Sequence, residues 1–191
     1  MKHLGNLTVT LENAVSFPAV SELYGHLTIA RDATLIAPSL TMVRGWVTIE
    51  PTATLVAANL GLIDGWLTIR DHGSLTAPHL TEVRADITLD YQAQFAAPAL
   101  DTAGALYIRP QAGGALMLKY SRTFPALRLV RNALTFGPVV CAAAPELERI
   151  GGSLTLRADA ELDAPNLAHI GGYADIDATA TIIAPKFTSG Q

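Results

Sequence analysis

The sequence predicts an all-β fold, a β-solenoid in which a 20-residue unit winds into about nine coils. Two patterns predict this fold: prolines recur at a fixed interval, and a short Leu-Thr-Ile alternation recurs in phase with them. Composition agrees, because half of the residues are hydrophobic but only 6% are aromatic. Small aliphatic side chains suit a narrow, regularly stacked interior. We expect one domain over residues 1–191, a right-handed coil and little helix.

Proline spacing sets the length of the unit. Most members of the proline column lie 20 residues apart, and an alanine fills one position. The column consists of Pro18, Pro38, Ala58, Pro78, Pro98, Pro125, Pro145, Pro165 and Pro185. The step from Pro98 to Pro125 is 27 residues, which predicts an irregular insertion at about residues 110–123.

The alternating run predicts how each unit packs. In Leu27-Thr28-Ile29 the period of two places Leu and Ile inside and Thr outside. A glycine often precedes the run, as at Gly45, and would permit a tight corner, including one with positive φ. One copy is a residue short, after Gly104. Because one unit cannot bury its own apolar face, each strand must pair with its counterpart one coil away.

The unit also resembles a known pattern. The run Ala-Pro-Ser-Leu-Thr-Met-Val-Arg-Gly-Trp-Val-Thr-Ile, residues 37–49, is similar to the leucine-rich-repeat-like units of receptor L-domains. The resemblance extends over about residues 5–187. It implies stacked coils, and members of that family mostly bind protein ligands or act as structural surface domains. The chain differs from them in lacking disulfides, a signal peptide and a long asparagine-bearing turn.

Composition also limits the compartment. Cys141 is the only cysteine, so no disulfide can form within the chain and a reducing compartment is compatible with the sequence. It lies in the apolar stretch 139–143, which predicts a buried, inert thiol. The N-terminus lacks an apolar signal segment, and no apolar run is long enough to span a membrane. We therefore expect a cytoplasmic protein, and a phage or bacterial mobile-element origin is compatible with a small solitary repeat protein.

The sequence gives no indication of an enzyme, a metal site or a cofactor. The five histidines lie at different phases of the repeat, and no two have a metal-ligand spacing. The Gly-Gly pairs are not followed by a phosphate-binding motif. Because the units have short corners, they also lack the long loops that could form the sides of a catalytic cleft.

A first candidate for partner binding is an outward column that contains His26, Trp46 and Trp66. The two tryptophans should be neighbours in space, although they lie 20 residues apart. Exposed aromatic side chains are typical anchors of protein interfaces. The alternative is that they stack on each other and only shield a corner of the solenoid.

A second candidate is the basic middle of the chain. Residues 101–157 carry a net charge of +4, whereas residues 1–100 and 158–191 each carry −4. Such a segment could contact an acidic protein surface, while a nucleic acid partner is not expected; the alternative is a loop that merely tolerates insertion. The candidate contact residues are Arg109, Lys119, Tyr120, Arg122, Arg128 and Arg131.

We therefore predict a non-enzymatic binding or inhibitory protein that presents a rigid solenoid face to a protein partner. One alternative is a structural protein that self-assembles, since open solenoid ends expose unpaired strands. Another is an ice-binding or surface-adsorbing protein, because an outward threonine column should line one face. The members of that column are Thr8, Thr28, Thr48, Thr68, Thr88, Thr135 and Thr155.

Overall fold

The computed structural model describes residues 2–10, 14–109 and 120–187, and these residues form the predicted parallel β-solenoid without any helix. Each coil contains three short strands separated by turns. The strands before the insertion are β1 (Lys2–Leu4), β2 (Leu7–Val9), β3 (Ala14–Ser16), β4 (Val20–Leu23), β5 (Leu27–Ile29), β6 (Thr34–Ile36), β7 (Met42–Val43), β8 (Val47–Ile49), β9 (Thr54–Val56), β10 (Leu62–Ile63), β11 (Leu67–Ile69), β12 (Ser74–Thr76), β13 (Glu82–Val83), β14 (Ile87–Leu89), β15 (Gln94–Ala96), β16 (Thr102–Ala103) and β17 (Leu106–Ile108). Those after it are β18 (Tyr120–Thr123), β19 (Leu129–Val130), β20 (Leu134–Phe136), β21 (Val140–Ala143), β22 (Arg149–Ile150), β23 (Leu154–Leu156), β24 (Glu161–Asp163), β25 (His169–Ile170), β26 (Ala174–Ile176) and β27 (Thr181–Ile183).

Every third strand belongs to the same face, so the solenoid has three faces. The face that begins with β1 and the face that begins with β2 are nine-stranded sheets. The third face is divided into a five-stranded sheet, β3 to β15, and a four-stranded sheet, β18 to β27. All strand pairs are parallel, and each strand pairs with its counterpart one coil away. The predicted repeat is therefore confirmed as stacked coils.

The register confirms both predicted irregularities. Ile63 pairs with Val83 at the usual spacing, but Ile87 pairs with Leu106, which is one residue fewer. Ala103 then pairs with Val130, so the insertion lengthens that coil without disturbing the first two faces. Of the segment predicted to be irregular, residues 110–119 lie outside the described residues, whereas Tyr120–Thr123 form the regular strand β18. Among the described residues the third face is interrupted between β15 and β18, which are not paired.

The core consists of the inward columns predicted from the alternation. Leu67 and Ile69 are completely buried, and Thr68 between them is only partly covered. The same pattern recurs in the neighbouring strands of this face. Burial of one Leu or Ile side chain stabilises a fold by about 1.5–3 kcal/mol, so the stacked aliphatic columns are the main source of stability.

Two features differ from what the sequence pattern indicates. The glycine column would permit positive φ, but Gly25, Gly45 and Gly65 do not adopt it, and left-handed positions lie elsewhere, for example at Asp32 (φ 61°) and His72 (φ 58°). Gly65 is required for space: a Cβ there would lie 2.6 Å from the backbone of Gly45. The second feature is Cys141, whose thiol is predicted to be buried. It is only half-buried on the third face, with its Sγ 3.9 Å from Glu161 Oε2. The period of two places it outward, despite its apolar neighbours.

Candidate functional site

The candidate site is a column of side chains at the corner between the first two faces. Backbone bonds join successive members one coil apart, as Leu27 N–H donates to Trp46 O and Val47 N–H donates to Trp66 O, both at 2.9 Å. The next bond, from Leu67 N–H to Asp86 O, continues the series. We call His26, Trp46 and Trp66 the aromatic corner.

The aromatic corner is a continuous stack. The Trp46 and Trp66 rings lie 4.7 Å apart between centroids and only 2° from parallel, and His26 stacks on the other face of Trp46 at 10°. His26 Nδ1 also accepts a hydrogen bond of 3.2 Å from the Trp46 N–H. The two tryptophans are therefore neighbours in space, as expected, and they also show the mutual stacking of the alternative interpretation. Trp46 is covered on both ring faces, while Trp66 ends the stack and remains 48% exposed.

Charged and aromatic side chains surround the aromatic corner on the first face. The Arg44 guanidinium lies 4.8 Å above the ring of Tyr24, which is half exposed. Arg44 also lies 3.8 Å from Glu22, and Arg84 forms a 2.7 Å ion pair with Asp64. These exposed pairs add little stability, but they hold the long side chains in place beside the stack.

Beyond Trp66 the side chains of the same column are small. Asp86 follows one coil away, and Ala105 follows in the coil that is one residue short. Tyr107 lies next to Thr88 on the second face, and burial, with the Asp86 carboxylate as a second cause, raises the pKa of its phenol. A concavity of about 410 Å³ lies here between Asp86, Tyr107 and Arg109.

The arginines of the basic middle are mostly engaged in ion pairs. Arg128 pairs with Asp101 at 2.8 Å, and Arg109 lies 3.9 Å from Asp90. Arg131 reaches Glu82 at 2.5 Å, across the shortened coil. Asp101 within the basic middle, and Asp90 and Glu82 of the acidic N-terminal flank, therefore neutralise much of the local charge. Lys119 and the side chain of Tyr120 lie outside the described residues.

Arg122 has a different environment from the other candidate residues. It is 8% exposed and lies in register with Ala142 and Leu162, in an inward column. Its Nη2 donates to Ala93 O at 2.6 Å, at the point where β15 and β18 fail to pair. The structure thus places Arg122 inside the solenoid, at the break in the third face, and it is not part of an outer basic surface.

The threonine column is present on the second face, with Thr68 paired to Thr48 and Thr88. Tyr107 interrupts it, and Asp175 ends it. The neighbouring outward column is charged. The threonine array is therefore continuous only from Thr8 to Thr88, and ice binding stays a prediction.

Comparisons of the chain with protein-family models, with curated proteins and with solved structures each give no significant match. Within the described residues, no group of three or more His, Cys, Asp or Glu side chains is placed to hold a metal ion. The same residues contain no helix that could span a bilayer.

Proposed function

We propose that this protein is a non-enzymatic binding or inhibitory protein that uses the aromatic corner to contact a protein partner. The observation that carries the proposal is Trp66, an indole fixed by stacking on Trp46 and still 48% exposed. Large aromatic side chains at interface centres contribute much of the binding free energy. A side chain that is already held in place also loses little conformational entropy on binding.

Two further points support the proposal. The solenoid fixes the corner on both sides, since β8 and β11 are paired and the Gly45 and Gly65 backbones are in close contact. The resemblance of the unit to receptor L-domains also favours a protein ligand. We place the protein in a reducing compartment, the cytoplasm, because its single cysteine allows no disulfide within the chain.

The test is capture of partners from the source cell with purified protein and two variants. Trp66→Ala should reduce the recovery of a specific partner at least tenfold, since such anchors contribute about 2 kcal/mol or more. Tyr173→Ala is the matched control, because Tyr173 occupies the same corner column and is 69% exposed. Equal recovery with wild type and Trp66→Ala would contradict the proposal.

A second candidate function is self-assembly through the final coil. Ala174 and Ile176 pair with Leu154 and Leu156, which are completely buried, yet both are exposed because β26 is the last strand of its sheet. A second copy whose first coil continued the same columns would cover them. Such head-to-tail contacts generate filaments unless the ring closes.

Light scattering after size-exclusion chromatography, over a range of protein concentrations, tests self-assembly. Wild type should increase in mass with concentration, and Ile176→Lys should remain a monomer because a charge cannot be buried unpaired. Arg149→Lys is a control on the outer surface. A wild-type monomer at every concentration would exclude this function.

A further inference from the structure

The aromatic stack ends on an open ring face. His26 and Trp66 cover the two faces of Trp46, whereas the outer face of Trp66 is followed only by Asp86 and then by Ala105. Both are much smaller than an indole, so the distal part of the Trp66 ring projects beyond its neighbours. The coil at Gly104 is one residue shorter at this corner, which leaves the Trp66 ring projecting further beyond the surface that follows it. We call Trp66, Asp86 and Tyr107 the shelf.

The charges of the shelf favour a cation. In the part of the chain that the structure describes, no Lys, Arg or His lies within ion-pair distance of Asp86. Arg84 is paired with Asp64 at 2.7 Å, and Arg109, which lines the same concavity as Asp86, lies 3.9 Å from Asp90. An indole face carries negative electrostatic potential, so it attracts the same cation that Asp86 would pair with.

The geometry of the shelf also indicates which kind of cation it would bind. A guanidinium is planar and can stack on an indole while its edge donates hydrogen bonds to a carboxylate. An ammonium lacks the flat face and is more strongly hydrated. The stack already repeats parallel rings at the spacing of the coils, 4.7 Å between Trp46 and Trp66. A guanidinium above Trp66 would occupy the next layer, with Asp86 at its edge.

We propose that the shelf binds the guanidinium of an arginine side chain on the protein partner. Tyr107 bounds the site, and its hydroxyl can accept a hydrogen bond from the same group. This inference rests on the proposed function, since it assigns the chemistry of the partner surface that meets the aromatic corner. Tyr173 provides an internal contrast: the nearby Asp175 already pairs with Arg157 at 3.0 Å, so that aromatic residue lacks an available carboxylate.

The experiment measures the indole N–H resonances of the two tryptophans by NMR during titration with blocked pentapeptides. The three peptides contain arginine, lysine or citrulline at the centre of a glycine sequence, and citrulline keeps the shape of arginine without its charge. We expect the arginine peptide to shift the Trp66 resonance saturably and the citrulline peptide to leave it unchanged. The lysine peptide should bind about fivefold more weakly than the arginine peptide. Trp46→Phe assigns the two resonances.

Two variants make the test specific. Asp86→Asn should lower the affinity for the arginine peptide at least about fivefold. Asn166→Asp adds a carboxylate on a distant part of the surface and should leave that affinity unchanged. Circular dichroism confirms that each variant is folded. Any of three results would overturn the inference. The arginine peptide could give no saturable shift, the citrulline peptide could bind equally well, or Asp86→Asn could bind the arginine peptide as tightly as wild type.

The outcomes also separate the inference from the proposed function. If Trp66→Ala loses a cellular partner but the arginine peptide does not bind, the proposed function stands and the arginine assignment is wrong. If the peptide binds as described but no partner depends on Trp66, the shelf recognises guanidinium and the proposed cellular function is wrong.

Discussion

At the scale of the residue, Arg122 stands out because it is the one charged side chain among the buried residues of the part that the structure describes. It lies three residues before Pro125, where other units have core residues such as Leu35 and Leu75. Its Nη2 donates hydrogen bonds to the carbonyl groups of Ala93 and Asp90, at 2.6 and 3.5 Å. A guanidinium group therefore takes the place of the strand-to-strand hydrogen bonds that the insertion removes.

Replacing Arg122 with methionine should destabilise the protein. Arg122→Met keeps much of the length of the side chain but removes its donors, and hydrogen bonds to a charged group contribute about 1.5–3 kcal/mol. We expect the free energy of unfolding in urea to fall by about 2 kcal/mol. Arg149→Met is the matched control, since Arg149 is exposed on β22 and should change stability very little. Equal effects of the two substitutions would contradict this role for Arg122.

At the scale of the element, the corners decide how closely the coils approach. The glycine of the corner is in contact with the backbone of the preceding coil, and an added Cβ at Gly65 would lie 2.6 Å from it. The strands themselves tolerate a range of side chains, because outward positions alternate with buried ones. A corner without room for a Cβ is thus more restrictive than any outward strand position.

Alanine substitutions in one coil test this difference. Gly65→Ala should lower the free energy of unfolding by about 3 kcal/mol, since overpacking displaces the backbone of the neighbouring coil. Gly61→Ala is the control within the same coil, because an added Cβ there would have only ordinary contacts, at 3.8 Å. Thermal unfolding that ranks the two variants equally would be inconsistent with close approach at Gly65.

The strands and the position of the insertion could be predicted from the sequence, but the structural roles of some individual residues could not. Period-two alternation was sufficient to place Thr68 outside and Ile69 inside, and the proline column located the insertion. The glycines were misinterpreted because spacing alone does not distinguish a need for positive φ from a need for space. Arg122 was assigned to the surface by its charge, although its column position already indicated the interior. The open face of Trp66 depends on the size of Asp86 and Ala105 one and two coils away, which became clear only from the register.

At the scale of the whole molecule, we expect the junction between the fifth and sixth coils to be the least stable of the described interfaces between coils. Two faces continue through it, by β13–β16 and β14–β17 pairing, but the third face does not. In a linear array the stability of each coil depends on its interfaces with its neighbours. The coils on the two sides of this junction should therefore open with some independence.

Hydrogen exchange at two equivalent amides tests this independence. The N–H groups of Arg70 and Arg109 both donate to the preceding coil at 2.9 Å, to Ile49 O and Leu89 O. We expect Arg109 to exchange roughly tenfold faster, because local opening governs exchange in native proteins. Similar protection of the two amides would indicate that the unbroken faces alone keep the junction closed.

In the coils around Trp46 and Trp66 the paired residues are 20 apart, and this offset has a genetic consequence. Loss of the codons for residues 41–60 would join the coil of Trp66 directly to that of His26, with every inward and outward column still in phase. Gain or loss of whole coils would therefore change the length of the rod and the number of stacked aromatic rings while preserving the core. A deletion of any other size within a coil would require a local slip such as the one at Gly104.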